Sequence, residues 1–185
     1  RVTVMAGSPE LYVQLHPGTS GETFEKLSRQ LRYLQDRKQE LGAREPKLTV
    51  VAIVVSENCG ALYGFAEFAC RIHADCVLYK GFDSFAKEGL AALVPRMEDV
   101  RVAEKELAEA RLLLEQQGIS HNIPGFLKTF HQELDTAPIY KIVPCYYGWL
   151  AVFIDIDGNV FFCCRCDEPL GNINDQPFTA IWNSE

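Results

Sequence analysis

Leu48-Thr49-Val50-Val51-Ala52-Ile53-Val54-Val55 is apolar at all but one position and rich in β-branched side chains. A strand points successive side chains to opposite faces, so a run without alternation predicts a strand buried on both faces, as in a parallel sheet covered by helices. Its surroundings alternate accordingly. Val2-Thr3-Val4-Met5 reads as an earlier strand that ends at Ala6-Gly7-Ser8-Pro9-Glu10. Ser8 as N-cap and Pro9 at the first helical position start a short helix there, closed by the turn His16-Pro17-Gly18. Glu22 to Leu41 places Phe24, Leu27, Leu31, Leu34 and Leu41 at helical spacing, with Gly42 just past the end. The remaining face carries Lys26, Arg29, Arg32, Arg37 and Lys38 and reads as solvated. After Leu48–Val55, Leu62 to His73 reads as a helix with Leu62, Phe65, Ala66 and Ala69 inward, and Cys76-Val77-Leu78-Tyr79 as the next strand. This succession predicts right-handed βαβ units. Met97 to Gln117 is a long helix with Val100, Ala103, Leu107, Ala110 and Leu114 inward and Gly118 as its stop, whereas Phe126 to Pro138 lacks periodicity and reads as a connecting arm.

A net charge of -7 excludes a general binder of phosphate backbones, so no nucleic-acid partner is expected. No apolar run approaches the length needed to cross a bilayer, and no membrane partner is expected. No signal peptide is visible, and the chain begins at Arg1 inside a strand-like run, which suggests part of a longer protein. Nucleophile-elbow, P-loop and glycine-rich dinucleotide motifs are absent from the sequence.

The seven cysteines separate into two groups. Cys59, Cys70 and Cys76 are scattered through α/β sequence and read as small packed hydrophobes. Cys145, Cys163, Cys164 and Cys166 cluster around a hairpin signal, Leu150 to Ile156 and Asn159 to Cys164 joined by Asp157-Gly158, a dipeptide suited to a type I′ turn. Clustered thiolates outside a secretory context favour a metal or iron-sulfur cluster over disulfides. If Ile156 pairs with Asn159, Cys163 lies opposite Val152 and Cys166 opposite Trp149. Strict pleating then puts Cys164 and Cys166 on one face and Cys163 on the other, unless a bulge at the double cysteine brings them together. Turn chemistry accounts for Asp155 and Asp157 better than a catalytic carboxylate pair does. His121 and His131 are outside candidates for a non-thiolate ligand, while His16 and His73 read as turn and helix-end residues.

The pattern C-x12-G-x4-C formed by Cys145, Gly158 and Cys163, followed by Leu170-Gly171-Asn172-Ile173 and Ile181-Trp182, resembles the start of the SPASM or twitch domain at the C-terminal end of radical S-adenosylmethionine enzymes. The resemblance extends to V-T-V-M-A-G-S-P-E-L-Y, L-T-V-V-A-I-V-V-S-E-N and A-D-C-V-L-Y, which look like the later strands of that family's partial barrel. It implies an α/β fold: the C-terminal half of a partial (β/α)6 barrel with a bridging helix over 1–118, a connecting arm over 119–143, and an incomplete cluster-binding domain with a cysteine-bearing β-hairpin over 144–185.

The resemblance also implies an auxiliary 4Fe-4S cluster on Cys145 and Cys163, with Cys166 and then Cys164 as further candidates. S-adenosyl-L-methionine in the complete enzyme would be held at the sheet edge by Ser8, Ser56 and Asn58. The implied activity is radical modification of a peptide, protein or small-molecule substrate in a reducing cytoplasm, with a reductant protein or a separate barrel subunit as partner. The family's C-x-x-x-C-x-x-C triplet is absent here, so this chain alone is not expected to cleave the cofactor. From another class, the cysteines fit a non-catalytic zinc or iron-sulfur module, or a substrate-recognition subunit.

Overall fold

The computed structural model describes residues 1–82, 90–135, 146–163 and 166–184, without the side chains of 131–135. The chain separates into two compact units, Arg1–Asp135 and Thr136–Glu185.

In the first unit, β1 (Val2–Thr3), β2 (Thr49–Val54), β3 (Cys76–Gly81) and β4 (Ser120–His121) form a parallel sheet in the order of the sequence. α1 (Pro9–Leu15) and α2 (Gly21–Glu40) connect β1 to β2, and α3 (Leu62–Arg71) connects β2 to β3. α4 (Met97–Gln116) precedes β4, and α5 (Ile123–Asp135) follows it. Neighbouring parallel strands joined by right-handed crossovers receive their helices on one side of the sheet. The packing agrees. Val50, Ala52 and Val54 of β2 and Val77 and Tyr79 of β3 share one core with residues of α2, α3, α4 and α5. The register Thr3↔Val51↔Leu78 puts the alternate residues on the opposite face. There Val51 is buried while Ile53 and Leu78 are half-buried, and none of the three belongs to the helical core. The unalternating run thus has an apolar second face, but not a second layer of helices among the described residues.

Three local expectations are corrected. Leu34 and Leu41 of the second helix's apolar set are 37% and 70% exposed, and Gln35 turns inward instead. Its amide nitrogen donates to the His73 carbonyl and, at 3.0 Å, to the Asp75 carboxylate, which also accepts from Lys38 Nζ at 2.6 Å and the Leu48 amide at 2.7 Å. This polar clasp ties the end of α2 to the starts of β2 and β3, which a hydrophobic count does not register. The arm expected from 119 is, over Ser120–Asp135, a strand and a helix of the first unit. Ile123, Phe126 and Phe130 are buried at helical spacing, and Pro124 lies in the helix's first turn, where its missing N–H costs no intrahelical bond.

The third correction concerns the hairpin. The second unit has a short helix α6 (Tyr147–Leu150), an antiparallel sheet of β5 (Phe153–Ile154), β6 (Asn159–Phe161) and β7 (Gly171–Asn172), and a final helix α7 (Phe178–Trp182). Phe153 pairs with Phe161 and Ile154 with Val160, one position away from the expected register, and Trp149 sits in α6 and not opposite Cys166. Val160 and Ile181 are the fully buried apolar residues of this unit among those described.

Candidate metal site

The turn that aims the cysteine segment is built by side chains. The Gly158 amide donates to the Asp155 carbonyl at 3.1 Å, and the Asp155 amide donates to the Asn159 carbonyl at 3.0 Å. Gly158 alone in the loop has a positive φ, +85°, so the connection is a three-residue loop with glycine in the left-handed position and not a type I′ turn. The reason lies in Asp155. One of its carboxylate oxygens accepts from the Asp157 and Asn159 amides, both at 2.9 Å, and the other accepts from Asn159 Nδ2 at 3.0 Å. These bonds, led by the one from the Asn159 side chain, hold the Asp155 carboxyl below its ordinary value. Asp155 is a turn-holding residue, engaged as an Asx turn.

The third strand locks the same turn from beside it. Asn172 Nδ2 donates to the Asp157 carbonyl at 3.0 Å and Asn159 Oδ1 at 2.9 Å, and Asn174 Nδ2 reaches the Asp157 carbonyl at 3.0 Å. The Leu170 amide donates to the Val160 carbonyl at 2.7 Å, and the Ile173 amide to the Gly158 carbonyl at 2.9 Å. The Leu-Gly-Asn-Ile segment is therefore a strand that clamps the loop, a role that the repeated asparagines at 172 and 174 signal and that period-two counting misses.

β6 ends at Phe161, and the chain bends at Phe162 and Cys163. The Cys166 amide donates to the Cys163 carbonyl at 3.1 Å, and this turn brings the two sulfurs to 3.5 Å of one another. A turn, and not a pleat with a bulge, unites the pair that alternation had put on opposite faces. At that separation they are thiols and not a disulfide. The Cys166 thiol is pushed above its ordinary value, first by its hydrogen bond with Cys163 and then by burial. Upstream, the Gly148 position lies against the Phe162 ring, where a Cβ would come within 2.0 Å, so α6 packs next to the residue that leads into Cys163.

Cys145 and Cys164 lie outside the described residues, as does the side chain of His131. Among the described residues no group of three or more histidine, cysteine, aspartate or glutamate side chains converges as a metal site. Cys163 and Cys166 nevertheless fit as two thiolate donors. Two thiolates on one tetrahedral ion, each about 2.3 Å from it, would stand about 3.8 Å apart, close to the spacing seen. In a cubane each cysteine binds a different iron, so the pair would open to serve as two cluster ligands.

Each of the sheet-edge candidates is engaged in local bonds. Ser8 caps α1, accepting from the Leu11 amide at 3.4 Å, and lines a cavity of about 590 Å³ with Glu10, Gln14, Glu67 and Arg71. The single hydroxyl proton of Ser56 is shared between two acceptors, the Ala92 carbonyl and a Glu57 carboxylate oxygen, both at 2.9 Å. Asn58 is 1% exposed; its amide nitrogen donates to the Met5 and Ile53 carbonyls at 3.1 and 2.9 Å, and its oxygen accepts from the Val55 amide at 2.9 Å. It fastens the ends of β1 and β2 together. His121 makes a 3.8 Å contact with Glu115 in the first unit. Burial pushes the Cys59 thiol up to about 12, and its sulfur donates to the Val55 carbonyl at 3.2 Å, so it is inert. Burial also raises the Cys70 and Cys76 thiols.

Residues 145–185 match the SPASM family, described as an iron-sulfur cluster-binding domain. The chain matches none of the curated proteins compared with it. The SPASM match implies an iron-sulfur cluster in the segment that contains the Cys163–Cys166 turn.

Proposed function

We propose that this chain is the C-terminal part of a radical S-adenosylmethionine enzyme, whose hairpin cysteines hold an auxiliary 4Fe-4S cluster while a barrel carries out radical modification of a peptide, protein or small-molecule substrate. The observation that carries the reading is the coincidence of the SPASM match with a turn that presents two thiols 3.5 Å apart. Cys163 and Cys166 would be ligands, and Cys145 and Cys164 are the further candidates from the sequence.

The first unit supports the same reading. Its strands follow one another in parallel order, its helices share one face, and its other face is apolar without a helical cover among the described residues, which suits a barrel segment whose inner face closes against further strands. In this reading Ser8 and Ser56 face the cofactor's edge and Asn58 positions that edge from within. No helix among the described residues is long and apolar enough to cross a membrane, and a reducing compartment such as the cytoplasm suits the thiolates.

The test is product formation. The natural protein that contains this sequence, or the chain together with a partner bearing C-x-x-x-C-x-x-C, forms 5′-deoxyadenosine from S-adenosylmethionine on one-electron reduction, and the chain by itself does not. Formation by the chain alone, or by neither preparation, contradicts the proposal. The sulfur separation itself favours a second reading, a non-catalytic module in which the pair chelates a single zinc ion. Stoichiometric zinc, retained under anaerobic treatment with iron and sulfide, would establish it.

A further inference from the structure

Of the nineteen large apolar side chains that stand exposed among the described residues, twelve belong to the smaller, second unit. Five of them, Leu150, Phe153, Ile154, Phe178 and Trp182, lie in β5 or line one cavity next to Val152. Leu150 is 82% exposed and Trp149 77%, and both residues of the strand, Phe153 and Ile154, are more than two-fifths exposed. Leu150, Val152, Phe178 and Trp182 line a cavity of about 350 Å³. That volume lies at the lower end of ligand pockets, roughly 300–1,000 Å³.

Among the described residues β5 is an edge of its sheet. The Asp155 amide bonds the Asn159 carbonyl, so Asp155 and Asn159 face each other, as do Phe153 and Phe161 two positions on. Val160 faces the other way, since its carbonyl accepts from Leu170 on the β7 side. Its partner Ile154 therefore directs its own N–H and C=O away from the sheet, and so does Val152. The outer edge offers backbone groups for one more strand, with the apolar cavity at one end and the exposed Asp157 at the turn end.

Charge narrows the occupant. Residues 145–185 carry six carboxylates, Asp155, Asp157, Asp167, Glu168, Asp175 and Glu185, against the single cation Arg165, for a net charge of -5, most of the chain's -7. Docking an acidic segment here would set like charges side by side, whereas a basic one gains attraction.

We propose that the outer edge of β5 docks an extended peptide segment by strand addition, with one bulky apolar side chain in the Leu150–Val152–Phe178–Trp182 cavity and a lysine or arginine four positions away against Asp157. Main-chain hydrogen bonds hold such a segment and the anchor selects it. This surface does not depend on the metal assignment.

Of the chain's two tryptophans Trp182 lines the cavity and Trp149 precedes the lining residue Leu150, so tryptophan emission reports occupancy. The probes are acetyl-Phe-Thr-Val-Thr-Lys-amide and its reverse sequence, since the edge accepts either strand direction, titrated into the full chain while tryptophan emission is followed. The expected result is a saturable shift at sub-millimolar peptide. N-methylation of the valine or of both threonines should weaken binding by about tenfold for one of the two patterns and leave the other unchanged, because alternate amides face the edge. Glutamate in place of lysine should weaken it severalfold, a difference that salt erases. Absence of binding, equal response to both methylation patterns, or indifference to the charge swap overturns the proposal. Self-association of the chain that blocks the peptide also overturns it, assigning the face to a second copy.

Discussion

Asn58 has the environment in which one side chain matters most for the first unit. With its amide bonded to Met5, Ile53 and Val55 and no exposure to water to replace those bonds, Asn58→Ala should cost about 2–3 kcal/mol in urea unfolding, and a change below about 0.5 kcal/mol would show that the bonds do not hold the two strand ends. Asp155 makes a pH-dependent contribution to the second unit. Its carboxyl, held low mainly by Asn159, stabilises the folded hairpin above the unfolded carboxylate value of about 3.9, and that contribution disappears as pH falls through the lower folded value. Acid titration followed by NMR should therefore show the hairpin loosening below that range, and Asp155→Asn should remove the acid-dependent part of the loss. At Cys166 the sign is opposite. A thiol raised above its ordinary value keeps its proton to higher pH, and that proton must leave before metal binds, so metal affinity should climb with pH across the thiol range. A pH-independent affinity would exclude Cys166 as a ligand.

At the scale of elements, the loop of 156–158 depends on one backbone conformation. Gly158→Ala would place a Cβ 2.5 Å from Asn174 Nδ2 at a φ of +85°, which should cost about 1–2 kcal/mol and speed amide exchange in β6 and β7 while leaving β2 and β3 protected. What the sequence revealed follows the same physics. α4 was legible because Val100, Ala103, Leu107, Ala110 and Leu114 repeat without interruption and all are fully buried. β2 was legible from composition alone. α5 was hidden because Pro124-Gly125 looks like a break, although a proline in the first turn is tolerated, and β4 because two residues, Ser120 and His121, give no pattern. The site was legible as a cluster of cysteines near a turn, but its geometry was not: Asp155's bonds to the loop amides set a longer turn than Asp-Gly suggests and shift the register with it, and the separate Cys163–Cys166 turn leaves no mark in period-two counting.

At the scale of the whole molecule, the two units differ in how they can be stable. Arg1–Asp135 has a continuous core of strands and helices, whereas the second unit buries only Val160 and Ile181 of its apolar residues among those described. A unit of about fifty residues with so small a core ordinarily needs a metal or another cross-link. Metal loading should therefore slow amide exchange across 146–184 and leave 1–135 unchanged, and a chelator should reverse it; uniform protection in both states would mean that the second unit is held by its own contacts. The most direct test of the central claim is anaerobic reconstitution of the chain with iron and sulfide, read by Mössbauer spectroscopy. The expected spectrum is that of a 4Fe-4S cluster, abolished or severely weakened by Cys163→Ala, and a chain that takes up no cluster, or that keeps its cluster unchanged after Cys163→Ala, would show that these cysteines do not hold one.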